Sequence, residues 1–365
     1  MNEKKKIALV IPSLKAGGME RVMSELAIYF SYKKEFQIHI IMYGLNPDIF
    51  YIIPDNIIIH KPDFIFNNKN RTWFTIKTMF FLRNRINRIR PHTILSFGEY
   101  WNSFVLLALL WIKIPVFVSD RCQPYKSLGS FHNALRKLLY PLAEGVIVQT
   151  NVAYQLYQKS IPNIKLYVIG NPIKKITMNR SIIKENIVLS VGRLIKTKHH
   201  DELIKLFVNI DLAGWKLVIV GGDALKQNNS LQLKKLIKNL NAENKVILEG
   251  SKNYVDDFYN KSKIFAFTSS SEGFPNVIGE AMSAGLPIIS FDCVAGPKEL
   301  IQNERNGYLI KPQNYSDFEI KLKKLMTDHQ LRNQMGIESQ ILVKKFDILS
   351  IGEKYTKVLF SSTIQ

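Results

Sequence analysis

Residues 264–291 read IFAFTSSSEGFPNVIGEAMSAGLPIISF, and this stretch decides the fold class. Ile264–Thr268 is a short apolar run that is typical of a buried β-strand. Val277–Ala284 has the composition of a helix. Gly285-Leu-Pro287 predicts its end, because glycine closes a helix C-terminus and proline cannot continue one. Pro287–Phe291 is a second apolar run. Strand, helix and strand in this order predict a parallel βαβ unit.

The same alternation of apolar runs and helical segments extends along the chain in both directions. It predicts parallel sheets that are covered by helices on both faces, which is an α/β fold. Because the alternation occurs in two sets, we expect two Rossmann-like domains side by side. The other predicted strands are Ile7–Ile11, Gln37–Tyr43, Thr93–Phe97, Pro115–Ser119, Gly145–Gln149, Ile187–Val191, Lys216–Val220 and Lys245–Glu249.

The boundary between the domains is predicted at Ile169-Gly170-Asn171-Pro172, since these residue types together interrupt regular structure. The first domain then spans 1–170 and the second 171–340. The tail from 341 has a helical pattern and no strand. We therefore expect 341–365 to form a helix that packs back on the first domain.

The composition excludes several classes of protein. Of 365 residues, 46% are hydrophobic, which is enough for packed cores and too much for a disordered chain. The two cysteines, Cys122 and Cys293, cannot build a disulfide framework or a cysteine zinc site, and a reducing cytoplasm fits them. The seven histidines lack metal-ligand spacing, and the longest apolar stretch, Phe104–Ile112, is too short to cross a membrane. The net charge of +20 favours a polyanionic partner: nucleic acid, anionic membrane or a phosphorylated substrate.

Ligands of open parallel sheets bind beyond the carboxyl ends of the strands, so loops that follow strands hold the candidate site residues. Gly17 and Gly18 follow the first strand. They let the backbone approach an anion at a helix N-terminus, or they form only a tight turn. The loop has neither Gly-x-Gly-x-x-Gly nor a P-loop pattern, which counts against NAD and ATP.

Two loops of the second domain also combine glycines with cations. Gly192-Arg193 begins the loop after the strand Ile187–Val191, and Lys198 follows it. Arginine and lysine at this spacing suit a diphosphate, although a solvated basic loop has the same composition. Gly222 follows the strand Lys216–Val220 and would also allow close approach to the backbone.

The loop Ser269–Asn276 carries the most specific pattern. Glu272 precedes the predicted helix and Glu280 lies about one turn into it, so each carboxylate can accept hydrogen bonds from sugar hydroxyls. The alternative is that Glu272 caps the helix and Glu280 is solvated. The helix N-terminal amides that can meet a diphosphate belong to Phe274, Asn276 and Val277.

The ordered set of these motifs resembles the GT4 family of retaining glycosyltransferases over essentially the whole chain. The motifs are Gly17-Gly-x-Glu20-Arg21, Gly192-Arg-Leu-x-x-x-Lys198, Glu272 with Glu280, and Gly296-Pro-x-Glu-Leu300. The resemblance implies the GT-B fold, in which two Rossmann-like domains face each other across a cleft. It also implies that the first domain takes the acceptor and the second a nucleotide-sugar donor. A UDP-hexose or UDP-N-acetylhexosamine is expected from family frequency, and GDP-mannose is the next candidate.

The resemblance also implies roles for single residues. Arg193 and Lys198 would bind the donor diphosphate, Glu272 would contact the hexose and Glu280 the ribose. No metal or cofactor is expected, because cationic side chains and helix amides would take the place of a metal. The predicted catalytic residues are Arg193, Lys198, Glu272 and Asp120. The other predicted donor-binding residues are Gly17, Gly18, Gly192, Gly222, Asn253, Gly273, Phe274, Pro275, Asn276, Val277 and Glu280.

One loop departs from the family pattern. Many relatives carry a histidine after the strand that is Pro115–Ser119 here, whereas this chain continues Asp120-Arg121-Cys122. Asp120 and Arg121 are therefore candidates to position acceptor or donor. Glu20 and Arg21 are the other predicted acceptor residues.

Lys69–Arg90 contains seven Lys or Arg and no acidic residue, with apolar residues interleaved on roughly one helical stripe. Such a helix is typical of a membrane-surface element, although a core-facing helix with a basic outer face has the same pattern. We expect it to bind anionic lipid, which places the protein at the inner face of the cytoplasmic membrane. A lipid-diphosphate-linked glycan acceptor of surface polysaccharide, O-antigen or capsule synthesis would be drawn to the same patch.

Two functions of other classes stay open. The sequence pI of about 9.7 would suit nucleic-acid binding, but the charge is spread and the motifs lie in small-molecule loops, so we expect no nucleic-acid partner. An epimerase of the UDP-HexNAc 2-epimerase kind would share the architecture and need no acceptor.

Overall fold

The structure, a computed structural model, describes residues 3–44, 48–179, 181–210 and 212–361. The chain forms two units. One unit combines Met1–Pro172 with Ile348–Gln365, and the other is Ile173–Asp347. The division after Pro172 lies two residues beyond the predicted boundary. The chain returns to the first unit at Ile348 rather than at 341, because residues up to Asp347 still pack in the second unit.

In the described residues the first unit is built on seven parallel strands, two of which were not predicted. These two, β3 and β7, are short and only partly buried, so their sequences lack a long apolar run. The strands are β1 (Lys5–Ile11), β2 (Phe36–Met42), β3 (Ile58–His60), β4 (Thr93–Phe97), β5 (Val116–Ser119), β6 (Gly145–Val148) and β7 (Leu166–Val168). Their order in the sheet is β3-β2-β1-β4-β5-β6-β7. The central strands β1 and β4 are buried on both faces, which explains why β1 continues as Ile-Ala-Leu-Val-Ile and why β4 contains no charged residue.

Six helices cover this sheet. They are α1 (Gly18–Ser31), α2 (Arg71–Ile89), α3 (Asn102–Ala108), α4 (Ser130–Leu139), α5 (Asn151–Ser160) and α13 (Ile348–Leu359). The last of these packs against α1 and β4. Gly352 allows this approach, since a Cβ there would collide with the ring of Tyr29, and the rings of Phe36 and Phe360 stack at 5.3 Å. Tyr355 of α13 is fully buried.

The second unit repeats the arrangement with six parallel strands. They are β8 (Ile187–Val191), β9 (Lys216–Val220), β10 (Val246–Gly250), β11 (Ile264–Phe267), β12 (Ile288–Phe291) and β13 (Gly307–Ile310), in the order β10-β9-β8-β11-β12-β13. Its helices are α6 (His200–Asn209), α7 (Asn229–Asn239), α8 (Asp256–Lys261), α9 (Asn276–Ser283), α10 (Pro297–Leu300), α11 (Tyr315–Thr327) and α12 (His329–Val343). The predicted βαβ unit is thus β11-α9-β12. Two Rossmann-like units confirm the predicted α/β fold class.

Helix α2 corrects one detail of the sequence analysis. Its apolar residues do not lie on one stripe but on two. One stripe faces the core and includes Leu82, Ile86 and Ile89, whereas Trp73, Ile76 and Phe80 are exposed. The helix ends at Ile89. Its C-cap residue, Arg90, has a left-handed backbone conformation and directly precedes Pro91. Among the described residues, no helix is both long and apolar enough to cross a bilayer.

Each sheet has a point where the strand order reverses, and the predicted loops lie there. In the first unit β1 is flanked by β2 and β4, and in the second β8 is flanked by β9 and β11. Ligands of open α/β sheets bind at such reversal points. The loops of Gly17-Gly18, Gly192-Arg193 and Ser269–Asn276 directly follow β1, β8 and β11.

Candidate functional site

Hydrogen bonds connect the loops after β8 and β11, and this brings their predicted residues together. Carbonyls of residues 197–199 accept from the loop after β11. The Thr268 hydroxyl donates to Lys198 O at 2.8 Å, and the Ser270 amide donates to Thr197 O at 2.8 Å. The Ser269 hydroxyl also donates to Thr197 O, at 3.1 Å. The sequence analysis did not single out these hydroxyls, although a Ser run directly after a strand is a signal for such loop contacts.

The result of this joining is an ion pair between two predicted catalytic residues. Lys198 Nζ lies 2.6 Å from Glu272 Oε1, and both side chains are only 15% exposed. The same ammonium lies 4.8 Å from the ring centre of Phe267, at the end of β11. Glu272 therefore holds Lys198 in place instead of capping α9.

Arg193 is arranged differently. It is exposed and, within the described part of the chain, makes no ion pair with a carboxylate. Its backbone neighbours are held firmly: the Gly192 amide donates to Val220 O at 3.0 Å, and the Leu194 amide donates to Gly222 O at 2.9 Å. A fixed backbone with an uncommitted guanidinium leaves its five N–H donors available to phosphate oxygens.

Glycines let the loops after β8 and β9 touch. A Cβ on Gly221 would overlap the carbonyl of Gly192, and a Cβ on Gly222 would come within 3.1 Å of Ser251 Cβ. Asn253, the predicted nucleobase contact, is exposed in the loop that follows Ser251. Gly222 and Asn253 therefore lie on neighbouring loops.

The loop before α9 packs against two other segments of the second unit, at Phe346 and Gly296. Phe274 is buried and packs edge-on against Phe346, and Gly296, with φ +96°, leaves room for Pro275. This packing fixes the segment Gly273–Asn276, which leads into α9 at Asn276. The Ile278 amide in the first turn donates to Pro275 O at 3.0 Å. A helix N-terminus held in this way favours an anion.

Glu280 lies on α9 and is half-buried. Its Oε2 accepts a hydrogen bond of 3.0 Å from the hydroxyl of Tyr259, a side chain with no exposure. Tyr259 was not predicted as a site residue, since nothing in its sequence surroundings distinguishes it from a core tyrosine. Glu280 is thus oriented, not freely solvated.

Two buried groups lie directly beneath these loops. His200 is 4% exposed, and burial together with the charge of Lys198 lowers its pKa to about 4. Burial and the nearby Glu272 carboxylate raise the pKa of the Cys293 thiol to about 12. Both groups are therefore neutral near pH 7 and add no charge to the site.

In the first unit, the predicted glycine loop is closed by a tyrosine. The Gly17 amide donates to the Tyr51 hydroxyl at 3.0 Å, and that hydroxyl donates back to Gly17 O at 2.6 Å. Gly18 begins α1, and Glu20 lies in its first turn, where burial raises the pKa of its carboxyl. Glu20 lines a cavity of about 920 Å³.

The other predicted acceptor residues are already engaged in packing. Arg21 pairs with Glu25 at 2.6 Å and donates to Pro172 O at 3.2 Å. Arg121 is half-buried and donates to Asn171 Oδ1 at 2.7 Å and to the Tyr355 hydroxyl. These contacts favour a structural role for Arg21 and Arg121, although their contact with an acceptor stays a prediction.

Asp120 lies in a buried network and not on an open surface. One carboxylate oxygen accepts from Asn102 at 2.9 Å and from Tyr140 at 2.6 Å, and the other accepts from Tyr157. Arg136 lies 3.9 Å away, and burial raises the pKa of the carboxyl. This geometry suits a group that positions the loop after β5 better than one that contacts substrate.

The described residues contain no cluster of three or more His, Cys, Asp or Glu side chains that could hold a metal ion.

Each half of the chain matches the model of a known protein family. Residues 16–175 match the model "Glycosyltransferase Family 4", and residues 173–341 match the model "Glycosyl transferases group 1". The amylovoran biosynthesis glycosyltransferase AmsD of Erwinia amylovora is 30% identical, over 92% of this chain and 96% of the relative.

Two further similarities cover nearly the full length. One is the N-acetylgalactosamine-N,N'-diacetylbacillosaminyl-diphospho-undecaprenol 4-alpha-N-acetylgalactosaminyltransferase of Campylobacter jejuni, 28% identical over 97% of this chain and 99% of the relative. The other is the solved structure of Anabaena Alr3699/HepE in complex with UDP, with a TM-score of 0.81 and 18% identity over 98% of this chain and 100% of that one.

Proposed function

Since the chain belongs to the family 4 glycosyltransferases, we propose that it moves a hexose or N-acetylhexosamine from a UDP-sugar to a lipid-diphosphate-linked glycan, in the assembly of a surface polysaccharide. The observation that carries the proposal is the geometry after β8 and β11. Exposed Arg193, the Lys198–Glu272 pair and the N-terminus of α9 lie on adjoining loops of one unit.

In the proposed mechanism, charge develops on the nucleotide diphosphate as the glycosidic bond breaks. Arg193, Lys198 and the α9 amides stabilise that charge, so no metal ion is required. The diphosphate competes with Glu272 for Lys198, and Glu272 is then released to accept hydrogen bonds from the donor sugar. The acceptor hydroxyl attacks from the face that the leaving group occupied, with retention of configuration as the family implies.

Glu280 is proposed to bind the ribose. The Tyr259 hydroxyl occupies one of its oxygens and leaves the other to accept from the ribose hydroxyls. The nucleotide is proposed to be UDP, because UDP occupies the structurally similar Anabaena protein. GDP-mannose is the second candidate donor.

The acceptor and the membrane are proposed from the first unit. The Campylobacter jejuni relative acts on a diphospho-undecaprenol-linked glycan, as its name states. Here Trp73, Ile76 and Phe80 form an exposed stripe on α2. The segment Lys69–Arg90, which contains α2, carries seven cations. We propose that this segment holds the enzyme at an anionic membrane, on its cytoplasmic face.

The test is a panel of sugar nucleotides assayed with a bacterial lipid extract. We expect one UDP-sugar to raise the unfolding temperature and to transfer its sugar to the lipid fraction. Transfer from GDP-mannose alone would replace the proposed donor. Conversion of the donor to its epimer without transfer would favour the epimerase alternative, which membership in a glycosyltransferase family already disfavours.

A further inference from the structure

The first unit contains a cavity that the proposed donor site does not use. It measures about 920 Å³, near the upper end of the range of about 300–1,000 Å³ for small-molecule sites. It opens beyond the carboxyl ends of β1, β2 and β4 and is walled by α2, α3 and α4. We call it the aromatic cavity. Its large apolar lining residues are Met19, Tyr43, Phe66, Met79, Tyr100, Trp101, Phe104, Leu107, Phe131 and Leu135.

Two threonines of the wall make hydrogen bonds within the protein. The Thr75 hydroxyl donates to Arg71 O at 2.8 Å, and the Thr78 hydroxyl donates to Phe74 O at 2.7 Å. Both hydroxyls are satisfied by their own helix, so each threonine adds mainly a methyl group to the wall. A wall of this kind binds hydrocarbon better than it binds a hydroxyl-rich sugar.

The rim of the aromatic cavity is also apolar. Phe131 is 71% exposed, Trp101 45% and Leu107 39%, although all three line it. Helix α3 packs between α2 and α4, and α2 carries the exposed Trp73 and Phe80 on its outer surface. Apolar surface therefore continues from the cavity to the helix proposed to touch the membrane.

Two cations and one carboxylate line the same cavity, and burial raises the pKa of that carboxyl, Glu20, which disfavours its negative charge. Lys15, in the loop after β1, and Arg71, in the first turn of α2, are exposed and make no ion pair within the described ranges. An anionic group attached to an apolar chain would find complementary charge there. Aromatic wall and flanking cations together match an amphiphile with a phosphate head.

We infer that the aromatic cavity binds the isoprenoid chain that adjoins the diphosphate of the lipid-linked acceptor. The inference rests on the proposed function, and it adds that the enzyme recognises the lipid itself and not only the terminal sugar. The carbon chain fills the space between α2, α3 and α4, while Lys15 and Arg71 meet the diphosphate.

Calorimetric titration with a fifteen-carbon isoprenyl diphosphate, below its aggregation concentration, tests this without any sugar transfer. We expect Leu107→Glu to weaken binding at least tenfold, because it places a carboxylate in the apolar wall. The matched control is Leu138→Glu, on α4 at 70% exposure and not part of the cavity lining, which should change binding less than twofold. Phe131→Ser, at a strongly exposed rim position, should weaken binding without a risk to folding.

Equal binding by wild type, Leu107→Glu and Phe131→Ser would overturn the inference. So would a chain-free glycosyl diphosphate that binds as tightly as the isoprenyl diphosphate, since the aromatic wall would then be a platform for sugar rings. The proposed function fails separately: if chain binding depends on Leu107 but no sugar nucleotide supports transfer, the cavity stands and the transferase assignment to this acceptor falls.

Discussion

At the scale of single residues, the proposed donor site contains one cation in an ion pair and one without an ion pair among the described residues. Lys198 is held by Glu272, and both side chains are largely shielded from solvent, whereas Arg193 is exposed on a fixed backbone. An ion pair that must open before a diphosphate can bind Lys198 reduces affinity, but it keeps both groups in place for the reaction. Arg193 needs no such exchange and can make the first contact.

The first prediction concerns these cations. Arg193→Ala and Lys198→Ala should each lower kcat at least a hundredfold, about 2.7 kcal/mol in the barrier, because each removes a charge that stabilises the leaving diphosphate. Steady-state kinetics with the true donor measure this. Lys196→Ala removes an exposed cation of the same loop and should stay within threefold of wild type. A comparable loss in Lys196→Ala would mean that the loop supplies only general positive charge.

The second prediction concerns the orientation of Glu280. Tyr259→Phe removes the 3.0 Å hydrogen bond and keeps the ring in the core. We expect the KM for the donor to rise about three- to tenfold, an effect of about 1 kcal/mol, with little change in kcat. Glu280→Gln should have a larger effect on the same constant. An unchanged KM in both variants would remove Glu280 from the donor site.

At the scale of elements, close approach of two loops depends on Gly221. An alanine Cβ there would overlap backbone atoms of Gly192, which cannot move aside as a flexible side chain would. Gly221→Ala should therefore destabilise the protein by about 1–3 kcal/mol and raise the donor KM. Urea denaturation and donor kinetics measure the two effects. Gly129→Ala serves as control, because a Cβ there meets open space and its cost of about 1 kcal/mol arises from positive φ alone, with no change in donor KM.

Helix α2 carries the fourth prediction. Changing Trp73, Ile76 and Phe80 together to serine removes its exposed apolar stripe and leaves the buried Leu82 and Ile86 in place. Flotation with vesicles that contain phosphatidylglycerol should show bound wild type at low salt and a bound fraction at least fivefold lower for the variant. Wild type that stays unbound at low salt would contradict membrane attachment through this helix.

At the scale of the whole molecule, acid should destabilise the second unit through His200. Its pKa is about 4 in the folded state against about 6.5 for a solvated imidazole. Below pH 6.5 the unfolded state binds the extra proton, so the free energy of unfolding falls between pH 6.5 and pH 4 and by about 2 kcal/mol at pH 5. His200→Gln should flatten this dependence, and the exposed His329→Gln should not.

The positions of the four tryptophans allow unfolding of the second unit to be observed separately. Trp73, Trp101 and Trp111 lie in the first unit and Trp215 lies in the core of the second. Replacing the first three by phenylalanine leaves Trp215 to report unfolding of the unit that contains His200. Urea midpoints of that variant that stay constant from pH 7 to pH 5 would contradict the assignment.

Much of the architecture was determined by the sequence alone. Strands buried on both faces tend to be continuous apolar runs, and Gly285 with Pro287 marks the end of α9, so β11, α9 and β12 could be predicted from 28 residues. Short or half-exposed strands such as β3 and β7 carry no such run and were missed. The positions of the candidate loops after β1, β8 and β11 were also predictable, because parallel sheets bind ligands beyond the carboxyl ends of their strands.

Only the tertiary structure decided which of these residues act together. Spacing placed Lys198 and Glu272 on separate loops, and their ion pair arises from hydrogen bonds between Thr268–Ser270 and the carbonyls of 197–199. Tertiary contacts, which the sequence does not report, engaged buried Asp120 and half-buried Arg121 in internal hydrogen-bond networks. The tertiary structure also decided the division of α2 into two apolar faces and the formation of the aromatic cavity. Contacts between residues far apart in the chain depend on how the helices pack, whereas a sequence pattern describes one element at a time.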